Sequence, residues 1–407
     1  MSPLDRRTFL KLGTGAAALS AARPQSLWSA QDQPRRVKGV IWLWMDGGMN
    51  QFQTWDPKPA LKKAGVTAID TTVPGIQVSE LLPICASQMK HLAIIRSMSH
   101  GLGDHDSATY LMHAGAGPRF GQDLPALGTI LACELGPKEF PLPKFISVGQ
   151  QQIPRSAAFD EEFNLFLARN VDNPIPNIRR NVDASRDHER AALLLEQNQE
   201  WSSTRLQAEA ARITEGMAAS ELLINTPLLK AFNAWDETEP LRKEYGEGFG
   251  QACLVARRLV QTGCPFVEIG LGDWAARKNP WIPSKILAAT LDRGLGTLIK
   301  DLAARDLLKD VLVVCATEFG KEPAPRGNPW DFWTRGFSVV LAGGLIPGGV
   351  VHGDTGPDGQ ACAAPVSVID LFATIYKACG VDPAKEYVHQ GLPKKYLAEG
   401  KPVDDLF

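Results

Sequence analysis

The chain has 407 residues, 44% of them hydrophobic and 22% charged, which is enough apolar material for a large core and too much for a disordered protein. Lysine plus arginine number 43 against 45 aspartates and glutamates, a net charge of -2 with no basic tract, which excludes the electrostatic footprint of a nucleic-acid-binding protein. No apolar run is long enough for a spanning helix, and the seven scattered cysteines, odd in number and without a CxxC pair, make neither a disulfide framework nor a zinc site.

Residues 1–30 read as an address. Arg6-Arg7, then Phe9-Leu10 and a weakly apolar stretch over residues 12–22, resemble a twin-arginine export signal. An ordinary amphipathic first helix is the alternative. The signal implies a periplasmic or exported protein that folds before export with its thiols reduced, in keeping with the unpatterned cysteines. Residues 31–407 show no convincing linker and no internal repeat, and read as one domain.

Within that domain, residues 37–45 (Val-Lys-Gly-Val-Ile-Trp-Leu-Trp-Met) form a β-branched and aromatic run without alternation, the pattern of a strand buried on both faces. Residues 91–96, 145–148, 265–269, 311–316 and 337–342 repeat it. Helical patterns cover residues 186–215, 247–262 and 286–305, and the more charged stretch 151–245 reads as a helical insertion or lid. Strands alternating with helices predict a three-layer αβα sandwich on a largely parallel sheet.

In such sheets the ligand crevice lies at the carboxyl ends of the strands. Asp46, Asp273 and Glu318 each follow a predicted strand, which makes them the acids expected to face one site. The same carboxylates can instead cap the helices that follow. Seven tryptophans (Trp42, Trp44, Trp55, Trp274, Trp281, Trp330, Trp333) stand near these turns, as an aromatic floor or as core packing. Neither a haem CxxCH nor a strand followed by G-x-G-x-x-G is present.

Ordered motifs then resemble a known bacterial family. Asp46-Gly47-Gly48 with Thr54-Trp55-Asp56-Pro57-Lys58-Pro59 looks like the opening signature of the domain of unknown function 1501 family. Glu239-Pro240-Leu241-Arg242-Lys243-Glu244-Tyr245-Gly246, Glu318-Phe319-Gly320-Lys321-Glu322-Pro323, Asp370-Leu371-Phe372-Ala373-Thr374-Ile375 and Gly380-Val381-Asp382-Pro383 continue it. The family is similar to the alkaline phosphatase and sulfatase superfamily. That resemblance implies metal at the strand ends and hydrolysis of phosphate or sulfate esters by a metal-assisted nucleophile. Asp46 matches the first metal carboxylate, and Glu318 the late one.

The departures from the family pattern are as informative as the matches. Where the family reads Pro-Ser-Gln-x-Asp-Thr, this chain has Met49-Asn50-Gln51-Phe52-Gln53-Thr54, so a serine has become Asn50 and an aspartate Gln53. An amide replaces neither a nucleophile nor an acid, which leaves Thr54 as the candidate hydroxyl. Gly-Trp-Asp-Thr-His is replaced by Gly272-Asp273-Trp274-Ala275-Ala276-Arg277, and Phe332 stands for the histidine of Gly-Arg-Asp-His-Trp. A rebuilt site for one divalent ion would draw on Asp46, Glu318, His105, Asp331 and His352, with Asn50, Asp273 and Arg277 as binding residues. Arg277 or Lys321 can alternatively satisfy the acids as ion pairs. Two functions follow: a catalytically impaired or non-catalytic binding protein with a ligand or protein partner in the strand-end cleft, or a single-metal periplasmic hydrolase of phosphate or sulfate esters.

Overall fold

Burial on both faces explains the first strand, β1 (Gly39–Met45), in which every residue is buried. Val40, Trp42 and Trp44 enter the core on one side of the sheet, while Ile41, Leu43 and Met45 enter the core on the other. The computed structural model describes residues 37–407 apart from 62–63, 118–123, 150–158, 160–162, 173–174, 176–177, 179–181, 203–206, 276–280, 324–331, 390–391 and 398. The expected export signal, Arg277 and Asp331 lie outside the described residues.

The other strands of the main sheet are β2 (Leu92–Ser99), β3 (Phe145–Val148), β4 (Leu165–Ala168), β5 (Phe266–Leu271), β6 (Val311–Ala316), β7 (Arg335–Gly343) and β8 (Val350–His352). Their order is β8-β2-β7-β6-β1-β5-β3-β4. β7 runs antiparallel to β2 and β6, and every other neighbouring pair is parallel. The carboxyl ends of β1, β5 and β6 therefore meet at the centre of one sheet edge.

Helices α1 (His105–Ala114), α2 (Leu127–Leu135), α3 (Ala184–Ser202), α4 (Gln207–Asn225), α5 (Phe249–Gln261), α6 (Trp281–Leu291), α7 (Thr297–Ala304) and α8 (Val368–Cys379) complete the layers. One core joins the sheet to α5, α6 and α7 through Leu254, Leu291 and Leu298; the other joins it to α1, α2 and α8 through Met112, Leu131 and Leu371. This is the expected three-layer sandwich. Sequence signals fix its boundaries: α8 opens on a capping box between Ser367 and Asp370 and closes on left-handed Gly380.

Two stretches differ from expectation. The helical run predicted over 286–305 is two helices joined by a π turn, Asp292–Gly296. There the buried Asp292 carboxylate accepts from the N–H groups of Ile84 and Cys85 (3.0 and 2.7 Å), satisfying the start of the short helix Pro83–Ser87. Within 151–245 the apolar Leu165–Ala168 adds β4 to the sheet edge, so this stretch is not wholly helical. Four residues carry too little periodicity to be read as a strand between charged neighbours.

None of the seven cysteines is in a disulfide, and Cys85, Cys253, Cys264, Cys315 and Cys379 are buried. Burial pushes these thiols up, Cys264 to about 12. Among the described residues no helix is long and apolar enough to cross a membrane.

Candidate functional site at the strand ends

Asp46 is the first residue after β1, and the turn it opens is tightly enclosed. Gly47 and Gly48 have φ of +105° and +85°; a Cβ on Gly47 would lie 2.4 Å from the Ala275 nitrogen, and one on Gly48 2.8 Å from the Phe319 ring. The Asp46 N–H donates to Leu271 O (3.1 Å) and its carbonyl accepts from Trp274 N–H (3.2 Å), which lashes the ends of β1 and β5 together.

Glu318, just beyond β6, is fully buried. One of its oxygens accepts from the Gly47 N–H at 2.8 Å and from His105 Nδ1 at 2.8 Å. Because an ionised carboxylate only accepts, His105 carries its proton on Nδ1 in this arrangement. The Thr317 hydroxyl stands 3.2 Å from the other oxygen, but its single proton has a nearer acceptor in Met45 O at 2.8 Å. His100 donates from Nε2 to the Glu318 carbonyl (2.5 Å) and accepts from Leu102 N–H on Nδ1 (3.2 Å), so it is neutral, and burial pushes its pKa down.

A cation is built into the same turn. Lys321 is 6% exposed and its ammonium donates to Gly47 O at 2.9 Å. Its backbone is held by the Gln51 amide on both sides, N–H to Oε1 and carbonyl to Nε2, each 2.8 Å. It pairs with Phe332 in a small hairpin, and the Phe332 ring stacks on Phe319 (4.1 Å between centroids) and meets His105 edge-on (4.3 Å). The ammonium lies 5.1 Å from the centre of that ring. Burial lowers the Lys321 pKa to about 8 against the opposing pull of Glu318. Asp46 is pushed up, first by burial and then by Glu318, with the Trp44 indole N–H (3.4 Å) and His105 partly offsetting both.

The remaining candidates separate. Thr54 is fully buried and its hydroxyl donates to Asn50 O (2.8 Å). Asn50 is itself buried: its oxygen caps the turn Gln51–Gln53 through Phe52 N–H (3.1 Å), and its amide nitrogen donates to Gln53 (3.3 Å), which continues to Ala64 O (2.9 Å). The amides that replace the family's serine and aspartate thus form a structural chain. Asp273 is exposed in a left-handed conformation (φ 70°) beside Trp274. His352 ends β8, where its Nδ1 is 2.8 Å from Asp405. Four strand spacings separate β8 from β1, roughly 19 Å at ~4.8 Å each, so the structure does not bring His352 to Asp46. Trp42, Trp44, Trp55 and Trp274 are at most 1% exposed and serve the core rather than a floor.

Two clusters escaped the sequence reading. Asp56, from the opening signature, holds Lys58 (2.9 Å), Arg96 (3.4 Å) and the Thr355 hydroxyl. His113, wedged between Trp42 and Trp44, lies 3.7 Å from buried Glu268 on β5. Lys58 is local to Asp56, but Arg96 and Thr355 are distant in sequence, and the Trp42–Glu268 register across β1 and β5 is what brings Glu268 to His113.

The donor set described here does not fit a resident divalent ion. His105 and Glu318 are bonded to each other rather than directed at a shared point, a buried ammonium lies beside them, and among the described residues no three His, Cys, Asp or Glu side chains converge.

The DUF1501 family model, described as a protein of unknown function, matches residues 37–407. The chain belongs to that family. No curated protein sequence matches it. Among solved structures, this DUF1501 chain is similar to the sulfatase PsFucS1 from Pseudoalteromonas sp. at 12% identity and a TM-score of 0.41, covering 86% of this chain and 69% of that one. It is similar to the lipoteichoic acid synthase LtaP from Listeria monocytogenes at 8% identity and 0.38, covering 88% and 78%. An alkaline phosphatase superfamily protein from Vibrio parahaemolyticus gives 10% and 0.41, covering 92% and 72%.

Proposed function

We propose that this DUF1501 protein is an exported, catalytically impaired binding protein whose ligand or protein partner enters at the strand ends of β1, β5 and β6. One observation carries the reading: Glu318, the acid expected to hold metal, is engaged by the Gly47 N–H and by His105 Nδ1. With Asn50 where the family has its serine, the Thr54 hydroxyl donates to Asn50 O, and the Thr317 hydroxyl beside Glu318 donates to Met45 O, so neither is directed outward as a nucleophile. Export rests on the Arg6-Arg7 segment.

A second reading, a single-metal hydrolase of phosphate or sulfate esters, is favoured by Asp46. Its carboxyl is pushed up by burial and by the neighbouring Glu318, a repulsion that a bound cation would relieve. Such an ion would polarise an ester oxygen.

The deciding experiment is elemental analysis of the mature protein, folded in the cytoplasm and never exposed to chelator, beside Asp46→Ala and Glu318→Ala. The binding reading expects no stoichiometric metal in any of the three. About one divalent ion per chain, lost in both variants, would overturn it and make ester-hydrolysis screens worthwhile.

A further inference from the structure

The Asp46–Glu318 pair poses an electrostatic problem that any metal-free reading must solve. Two acids face each other across the ends of adjacent strands, one of them fully buried, and an uncompensated buried carboxylate costs several kcal/mol unless it neutralises. The donors bonded to Glu318 are a backbone N–H and an imidazole N–H, which orient the charge without cancelling it when the imidazole is neutral. Among the described residues, the charged group at hand is Lys321.

Four features show that this ammonium is placed rather than stranded. It sits at 6% exposure against Gly47, the residue between the Asp46 turn and the Glu318 carboxylate. Its backbone is clamped on both sides by Gln51. The ring of its hairpin partner Phe332 lies beside it, and the lack of a Cβ at Gly48 leaves its room, since a Cβ there would lie 3.2 Å from Nζ. Its neutral contacts, one carbonyl and a ring face, are too few to hold an ammonium out of water by themselves. The attraction of Glu318 offsets part of that burial.

We infer that Lys321 is the cation of this site, a tethered charge that does for Asp46 and Glu318 what a bound divalent ion would do, so that removing it makes the mouth accept a metal. The inference rests on the metal-free reading above. A lysine ammonium is a fixed point charge that neither opens a coordination position nor activates water, which accounts for retained acids without retained hydrolysis. It also repels a second cation from the same mouth.

The test uses metal-stripped mature protein and Mn²⁺ as the probe, with isothermal titration and thermal melts on wild type, Lys321→Met, Lys321→Arg and Lys321→Met/Glu318→Gln. Lys321→Met is expected to bind one Mn²⁺ at least tenfold more tightly than wild type and to melt higher in its presence. Lys321→Arg, which keeps the charge, stays insensitive, and the double variant returns to the wild-type response. If Lys321→Met folds only with Mn²⁺, refolding yield with the ion against chelator gives the same answer. Equal Mn²⁺ affinity in wild type and Lys321→Met, or a Lys321→Met chain that stays unfolded in Mn²⁺, overturns the inference. Wild type purified with its own metal sinks the metal-free reading itself, whereas a metal-free wild type with an indifferent Lys321→Met sinks only the role of Lys321.

Discussion

Asp56 and Glu318 are both buried acids from ordered motifs of the DUF1501 family, and they are neutralised in opposite ways. One Asp56 oxygen lies 2.9 Å from Lys58 Nζ and 3.4 Å from Arg96 Nε, and the other takes the Thr355 hydroxyl. Two cations thus close on one acid. Glu318 accepts from a peptide N–H and an imidazole, shares its surroundings with the second acid Asp46, and among the described residues has the Lys321 ammonium within Coulombic reach. A motif acid that completes its own ion pairs is architecture. One that leaves negative charge over, at a strand end, marks where something else is met.

The sharpest way to break this contrast is Asp56→Ala. It removes the main acid from Lys58 and Arg96, at 10% and 19% side-chain exposure, leaving them Asp354 and the Trp55 and Gln77 carbonyls, and breaking such a buried pair costs up to about 3–5 kcal/mol. The urea midpoint should fall accordingly. A loss under about 1 kcal/mol, the range of an exposed pair, would put Asp56 outside the architecture.

Lys321 comes next, through pH. Folded, it releases its proton near 8, whereas an unperturbed lysine keeps it to 10.5. Between those limits the unfolded chain binds more protons, so the stability of wild type relative to Lys321→Met must rise as pH climbs from 8 toward 10.5. A shift of this size corresponds to roughly 3 kcal/mol over the window. A flat difference between the two unfolding curves would mean the ammonium is solvated and the two acids less distinct than described.

Thr54→Val tests the stretch joining the two clusters. It removes the bond to Asn50 O and should cost about 1 kcal/mol in denaturant unfolding while leaving any ligand or metal affinity untouched. Loss of an activity with unchanged stability would restore Thr54 as a nucleophile. Smallest is His352→Ala, whose partner Asp405 is largely exposed; a change within about 0.5 kcal/mol is expected, and no effect at the strand ends.

The sheet was legible because strands buried on both faces need apolar residues at every position. The runs at 37–45 and 311–316 therefore have no competing reading once Gly and Asp turns bound them. β4 and β8, three or four residues long at the sheet edges, carry no such signal. Within the site, Asp46 and Glu318 were visible because position after a strand is itself sequence information. What His352 and Asp56 do depends on partners 53 and 299 residues away, and no local pattern encodes those distances.

Seven cysteines without a disulfide give the molecule a chemical character of its own. Thiolates, not thiols, are the species that attack oxidants and disulfides, and burial raises the pKa of Cys85, Cys253, Cys264, Cys315 and Cys379 far from that form. These five positions are thus poorly reactive toward oxidants in the folded chain, whereas Cys133 and Cys362 are only partly buried. While the chain is folded, these five thiols should therefore stay unmodified in oxidised glutathione, and they should react only once denaturant exposes them.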